Sequence, residues 1–219
     1  PRVLGALVAC FSPCSLCTMP SQLTMEIAQT AARLVVEDGL DWGSAKRRAL
    51  RELGLPARTA LPDNEVLEAA VREYLALFCA DTQPGELQAL RRLALVWMER
   101  LAMFRPHLCG AVWYGTATRL SDIYLQLFCD DSKSAEIALI DQRVTYEPST
   151  VSGFRGEPVE ALSLAVPCAE LQAMVGIHLL IHDLDDLRGA LRPDGQGRTP
   201  RGDAAAVRAL LAVPEGRTA

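Results

Sequence analysis

Apolar positions recur three and four residues apart through the first part of the chain, the spacing of a helix with one buried face. Thr24 stands as a cap before Ile27, Ala31, Leu34 and Val35, and Gly39 punctuates the run. Gly43-Ser44 opens a second, basic segment that stops at Gly54-Leu55-Pro56. Asp63 precedes a strongly amphipathic stretch carrying Val66, Ala70, Leu75 and Phe78. A further helix is expected over residues 86–104, after Pro84 and before Pro106. This pattern predicts a helical region over residues 25–106, preceded by a poorly ordered leader over residues 1–24.

Beyond Pro106 the apolar runs become short and the breakers frequent. The pattern predicts consecutive strands over residues 109–114, 123–129 and 135–140, separated by Gly115-Thr116 and Asp130-Asp131-Ser132-Lys133. Residues 144–147, 161–166 and 176–182 can add more. Short helices are expected from Pro167 and over residues 183–191, and Asp203 can cap a last one over residues 204–212. The fold class read from this is α+β: an N-terminal helical bundle, then a mixed β-sheet with helices over residues 107–219.

Composition narrows the picture. Half of the 219 residues are apolar and 22% are charged, as in folded proteins generally. A net charge of −5 argues against nucleic acid as a partner, which would call for a basic face. No apolar run approaches the roughly 18 residues that suggest a bilayer span. Seven cysteines form no disulfide framework, and Cys79, Cys109, Cys129 and Cys168 sit in apolar surroundings. A reducing cytoplasm is the expected setting. The leader is rich in Cys, Ser and Pro, with Arg2 its only charge before Ser21. Its Cys10-x₃-Cys14-x₂-Cys17 has the spacing of the radical S-adenosylmethionine cluster motif, but a helical segment follows where repeated βα units would be needed. An incidental Cys-rich leader is the simpler reading, with zinc as the other alternative.

The stretch Gly115-Thr116-Ala117-Thr118-Arg119-Leu120-Ser121-Asp122-Ile123-Tyr124 concentrates the candidate chemistry. An apolar run enters a Gly-Thr turn, a short loop leads to Ser-Asp, and a second apolar run follows. In this layout the chain resembles the nucleotidyltransferase superfamily over about residues 109–140. The resemblance implies that Gly115 and Thr116 approach nucleotide phosphates, with Ser121, Arg119 and Lys133 around them. It implies Asp122 as first ligand of Mg²⁺, and a third carboxylate on a neighbouring strand, for which Glu136 is the candidate and Asp141 the fallback. Two carboxylates two apart on a strand share one face and can share metals. Here Tyr124 replaces the second. A nucleotide with Mg²⁺ is thus the implied ligand, with Asp122 and Glu136 as catalytic and metal-binding residues and transfer reduced or lost. The alternative is a non-catalytic module binding a nucleotide or a protein. An ordinary hairpin carrying this loop sequence is the plainer reading of the same residues. The chain is also similar to uncharacterised bacterial proteins labelled UDP-N-acetylmuramate–alanine ligases, but the Gly-Lys-Thr of an ATP loop is missing from the Gly115 turn.

His178 and His182, four apart, share one face of a strand or a helix, and Asp183 and Asp185 follow. His182, Asp183 and Asp185 could meet a metal; the plainer reading is a strand running into a helix whose first-turn acids answer its dipole. Arg201-Gly202-Asp203 reads as a turn in which Asp203 caps a helix.

Overall fold

The computed structural model describes residues 21–154, 156–194 and 197–212. Cys10, Cys14 and Cys17, with nearly all of the expected leader, lie outside the described residues. Helix α1 (Gln22–Asp38) is capped by Ser21, whose hydroxyl accepts the Thr24 N–H, and ends at Gly39 with φ +65°. Helices α2 (Trp42–Glu52) and α3 (Asn64–Phe78) are capped in the same way by Asp41 and Asp63. Their buried stripes meet in a cluster that includes Ile27, Ala31, Leu34, Ala49, Leu67 and Val71. Helix α4 (Gln83–Arg100) belongs to a second core. Its Leu90, Ala94, Trp97 and Met98 are buried together with strand residues Leu125, Leu127, Ile177 and Leu179.

That second core lies on a six-stranded sheet of order β3-β4-β5-β2-β1-β6. The strands are β1 (His107–Cys109), β2 (Ile123–Cys129), β3 (Glu147–Ser152), β4 (Pro158–Cys168), β5 (Ala173–Asp183) and β6 (Arg201–Gly202). β2 and β5 run parallel, and the other pairs run antiparallel. The described residues also form helices α5 (Gly110–Tyr114), α6 (Ser132–Asp141), α7 (Leu187–Ala190) and α8 (Ala204–Ala212). The architecture is α+β with a mixed sheet.

Three expected elements are corrected. Of residues 109–114 only Cys109 is in a strand; Gly110 takes φ +70°, and residues 110–114 turn as α5. Residues 135–140 belong to α6, where Asp131 accepts the Lys133 N–H as cap. Ala135 and Leu139 are buried there while Ile137 and Ile140 are exposed, a period of four that a strand cannot produce. Short apolar runs do not separate a strand from a buried helical turn, and that ambiguity explains both differences. Pro167 and Cys168 extend β4 instead of starting a helix.

Strand alternation gives the sheet two unlike faces. Ile123, Leu125 and Leu127 of β2 join Ile177, Leu179 and Ile181 of β5 and Leu162 and Leu164 of β4 in the core under α4. The opposite face carries Tyr124, Gln126 and Phe128 of β2, His178 and His182 of β5, and Ser163 of β4. Gln126 accepts a hydrogen bond from the Arg201 guanidinium at 2.6 Å in the middle of this face. Arg201 and Gly202 thus form an edge strand, with Asp203 capping α8 through the Ala206 N–H.

Candidate functional site

Asp122 is the last residue before β2, and its side chain lies across β5. Oδ1 accepts the Gly176 N–H and Oδ2 lies against His178 Nε2, each at 3.2 Å. A Cβ on Gly176 would collide with the Asp122 carboxylate, so only glycine lets this side chain lie where it does. The His178 hydrogen bond holds the Asp122 carboxyl below its ordinary pKa against the opposing effect of burial, with the Gly176 N–H adding to it. Asp122 is therefore ionised at neutral pH and can only accept, so His178 Nε2 carries a proton. His178 Nδ1 meets Ser163 Oγ at 2.8 Å from β4. The Tyr124 ring stacks on the imidazole with centres 4.7 Å apart. Burial, and then the charge of Asp122, push the Tyr124 phenol up, so it is neutral at pH 7.

A cavity of about 380 Å³ opens beside Asp122 and Tyr124, between the α1–α2 turn and α5. Leu40, Trp42, Tyr114 and Ser121 contribute to its wall, together with Asp41. Asp41 caps α2 through one carboxylate oxygen, Oδ1, which accepts the Ser44 N–H. The wall is thus largely aromatic and aliphatic, with the Asp41 and Asp122 carboxylates and hydroxyls as its polar groups.

The other residues expected at a phosphate site are placed differently. Gly115 takes φ +83° and ends α5, and its N–H and that of Thr116 both donate to the Ala111 carbonyl. The Gly115 and Ala117 carbonyls accept from the Gln83 amide at 3.1 and 2.9 Å. Thr116 is buried, and its hydroxyl has no partner among the described residues. The Thr118 N–H donates to Ser121 Oγ, and the Arg119 N–H to Glu86. The Gly115 and Thr116 N–H groups are thus spent on α5 itself, while the Gly115 and Ala117 carbonyls and the Arg119 N–H tie the turn to α4. Ser121 reaches the cavity, whereas Gly115, Thr116 and Arg119 do not line it.

Glu136 stands on α6, not at the start of a strand. Its carboxylate accepts from Tyr146 and from Lys133, whose ammonium also reaches Glu160. Glu160 pairs with Ile181, which pairs with Leu127. Five residues of β2 separate that level from Asp122, about 16 Å along a strand. Asp122 and Glu136 are not brought together, and Lys133 stays with Glu136. Asp141 ends the same helix. The strand that flanks Asp122 is β5, and the residue beside Tyr124 there is His178. Among the described residues, no carboxylate takes that place beside Tyr124.

His178 and His182 do share one face of β5, as their spacing requires. Asp183 accepts the Asp185 N–H and caps the following 3₁₀ turn. Ser163 and Gly176 escaped the sequence reading. Strand parity puts Gly176 on the face of His178, but only the β4–β5 register brings Ser163 to it.

Ser163, His178 and Asp122 form a hydroxyl–imidazole–carboxylate chain that can orient hydrogen bonds and pass a proton. Acyl transfer would also need N–H donors for an oxyanion. Ser163 closes the β3–β4 ladder opposite Glu147 and pairs with His178 of β5 on its other side. These hydrogen bonds hold Asp122 and His178 in place.

No family model matches this chain. No curated protein matches it in sequence. Among solved structures, a MgGTP-bound Cid1 poly(U) polymerase is similar at a TM-score of 0.32 and 15% identity, over 44% of this chain and 32% of that one. This chain thus spans about a third of the polymerase's length.

Proposed function

We propose that this protein is nucleotidyltransferase-like and binds a nucleotide in the Asp122–Tyr124 cavity without catalysing transfer. The observation that supports this reading most is the triplet Asp122, Tyr124 and His178, side by side on β2 and β5. Transfer through two metals requires several carboxylates at one point. This triplet supplies one, and His178 and Gly176 already bind it. A neutral phenol and an imidazole are poor ligands for Mg²⁺, which prefers hard oxygens. The donor set fits at most one Mg²⁺, held by Asp122 and supplied mainly with ligands by the nucleotide's own phosphates. Trp42, Tyr114 and Tyr124 in the wall offer flat surfaces for a base. Among the residues first expected at the phosphates, Ser121 is retained in this reading.

Thermal melting with each of the four ribonucleoside triphosphates, with and without Mg²⁺, tests the reading. A ligand at a hundred times its Kd stabilises by about 2.7 kcal/mol, enough to shift a melting curve measurably. Nucleotide plus Mg²⁺ should stabilise more than either alone, and Asp122→Asn should remove the part due to Mg²⁺. Tyr124→Ala should weaken nucleotide binding in either condition. The proposal fails if no nucleotide stabilises the protein.

A further inference from the structure

We propose that Glu157, His182 and Asp186 form a binding site for a first-row divalent transition cation, with Zn²⁺ the best fit, separate from the Asp122 cavity. His182 lies beside Phe128 near the end of β5, Glu157 immediately precedes β4, and Asp186 is in the 3₁₀ turn after β5. The start of β4, the end of β5 and the turn after it thus deliver one ligand each to one end of the sheet. One ligand atom from each residue lies within 4.8 Å of the others.

The second observation is His182 itself. It is 2% exposed, and neither ring nitrogen has a hydrogen-bond partner among the described residues. Glu157 Oε1 is buried and unpartnered as well. Buried imidazole and carboxylate groups are costly without partners, and such orphans call for a water or an ion. The His182 ring is held between Phe128 and Phe154, with centres 5.6 and 4.8 Å away. These rings fix its plane and offer its nitrogens no acceptor. Gly153 leaves room for the Glu157 carboxylate, since a Cβ there would collide with it. The Arg201 guanidinium, stacked on Phe154 at 4.7 Å, is a positive charge that the two carboxylates must outweigh.

Ligands of one Zn²⁺ stand about 2.0–2.2 Å from the ion, so two of them lie roughly 3–4 Å apart. Closing the present cluster requires side-chain movement of about an ångström on that scale. One imidazole and two carboxylates suit Zn²⁺, with water completing the shell, whereas Mg²⁺ favours oxygen alone.

The test is titration of the full chain with Zn²⁺ by calorimetry and with Co²⁺ by absorbance. One ion per chain should bind, and the Co²⁺ complex should show d–d bands without thiolate charge-transfer bands. Glu157→Gln and Asp186→Asn, each close in shape to the parent, should weaken Zn²⁺ by at least about ten-fold, since even outer partners of a metal contribute that much. Asp122→Asn should leave Zn²⁺ affinity unchanged, which separates this site from the nucleotide reading. Circular dichroism checks that the variants fold; if they do not, the wild-type Co²⁺ spectrum decides alone. Absence of binding overturns the proposal, as does wild-type affinity in both folded variants. Thiolate bands that vanish in a Cys10→Ser/Cys14→Ser/Cys17→Ser variant would place the ion in the leader and overturn it equally.

Discussion

The Tyr124 phenol lies stacked on the His178 imidazole, 27° from parallel. The contact leaves Asp122 as the sole anion of the Asp122–Tyr124–His178 triplet. Under the proposed function, such a site would take a flat ring and a single coordinated ion without carrying out transfer.

Tyr124→Asp tests this directly. The new carboxylate would face the same side as Asp122 and should strengthen Mg²⁺ binding. Without Mg²⁺ the variant should be less stable by about 1 kcal/mol, the ordinary cost of a disturbed contact, with repulsion from Asp122 adding to it. Calorimetry with Mg²⁺ and melting curves in its presence and absence report both effects. Wild type should transfer nucleotide barely above background; vigorous Mg²⁺-dependent transfer would mean that another acid completes the site.

Gly176 should be intolerant of a methyl group. A Cβ there overlaps the Asp122 carboxylate, so Gly176→Ala forces that side chain off β5 and away from His178. Overpacking of this kind costs about 1–3 kcal/mol. The cost should shrink clearly in an Asp122→Ala background, because the clash has then been removed. Additive costs in a urea-unfolding double-mutant cycle would show that Gly176 is needed for some other reason.

The legible parts of this fold are those with a long period or a clear cap. Asp63 and Asp203 cap the helices they were expected to cap, and the runs ending in β2 and β5 are strands. Residues 110–114 and 135–140 were misread because four to six apolar residues fit a buried turn of helix as well as a strand. Of the residues lining the cavity, the sequence reading singled out Ser121, Asp122 and Tyr124. Glu136 looked close in sequence, but a helix carries it to the other end of β2. Ser163, Gly176 and His178 come to Asp122 through the register of β4 against β5 and β5 against β2, which local pattern does not encode.

His107 makes the protein less stable in mild acid. It is buried, its ring packs edge-on against Phe128, and Nδ1 meets the Arg105 carbonyl at 2.8 Å. Burial pulls its pKa below the ordinary value, and the Arg105 carbonyl offsets this only in part. The unfolded chain takes up this proton near pH 6.5, and the folded chain only at lower pH. Stability from this group is therefore complete above pH 6.5 and falls as pH drops toward the folded value. The melting temperature should decline between pH 7.5 and 5.5, and His107→Gln should flatten that decline. An unaltered slope in the variant would assign the effect elsewhere.

Glu68 should contribute stability at neutral pH and lose it in acid. Its side chain is 9% exposed and ties α3 to the loop before β6. Oε1 accepts from Arg72 and from Arg198 Nη1 at 2.7 Å, and Oε2 accepts from Arg198 Nη2 at 3.1 Å. Burial acts to raise the carboxyl pKa, but the Arg198 and Arg72 guanidiniums outweigh it and leave the value lowered. A depressed folded pKa means that the stabilisation is present above the unfolded value, about 4.3, and disappears as pH falls through the folded one. Glu68→Gln keeps the shape and removes the charge, so it should cost about 1–3 kcal/mol at pH 7. In acid below the folded value the wild-type carboxyl is itself protonated, and the difference between the two proteins should narrow relative to pH 7. Urea unfolding of both proteins at the two pH values measures it. An equal difference at both would show that the hydrogen-bond geometry, and not the charge of Glu68, joins these segments.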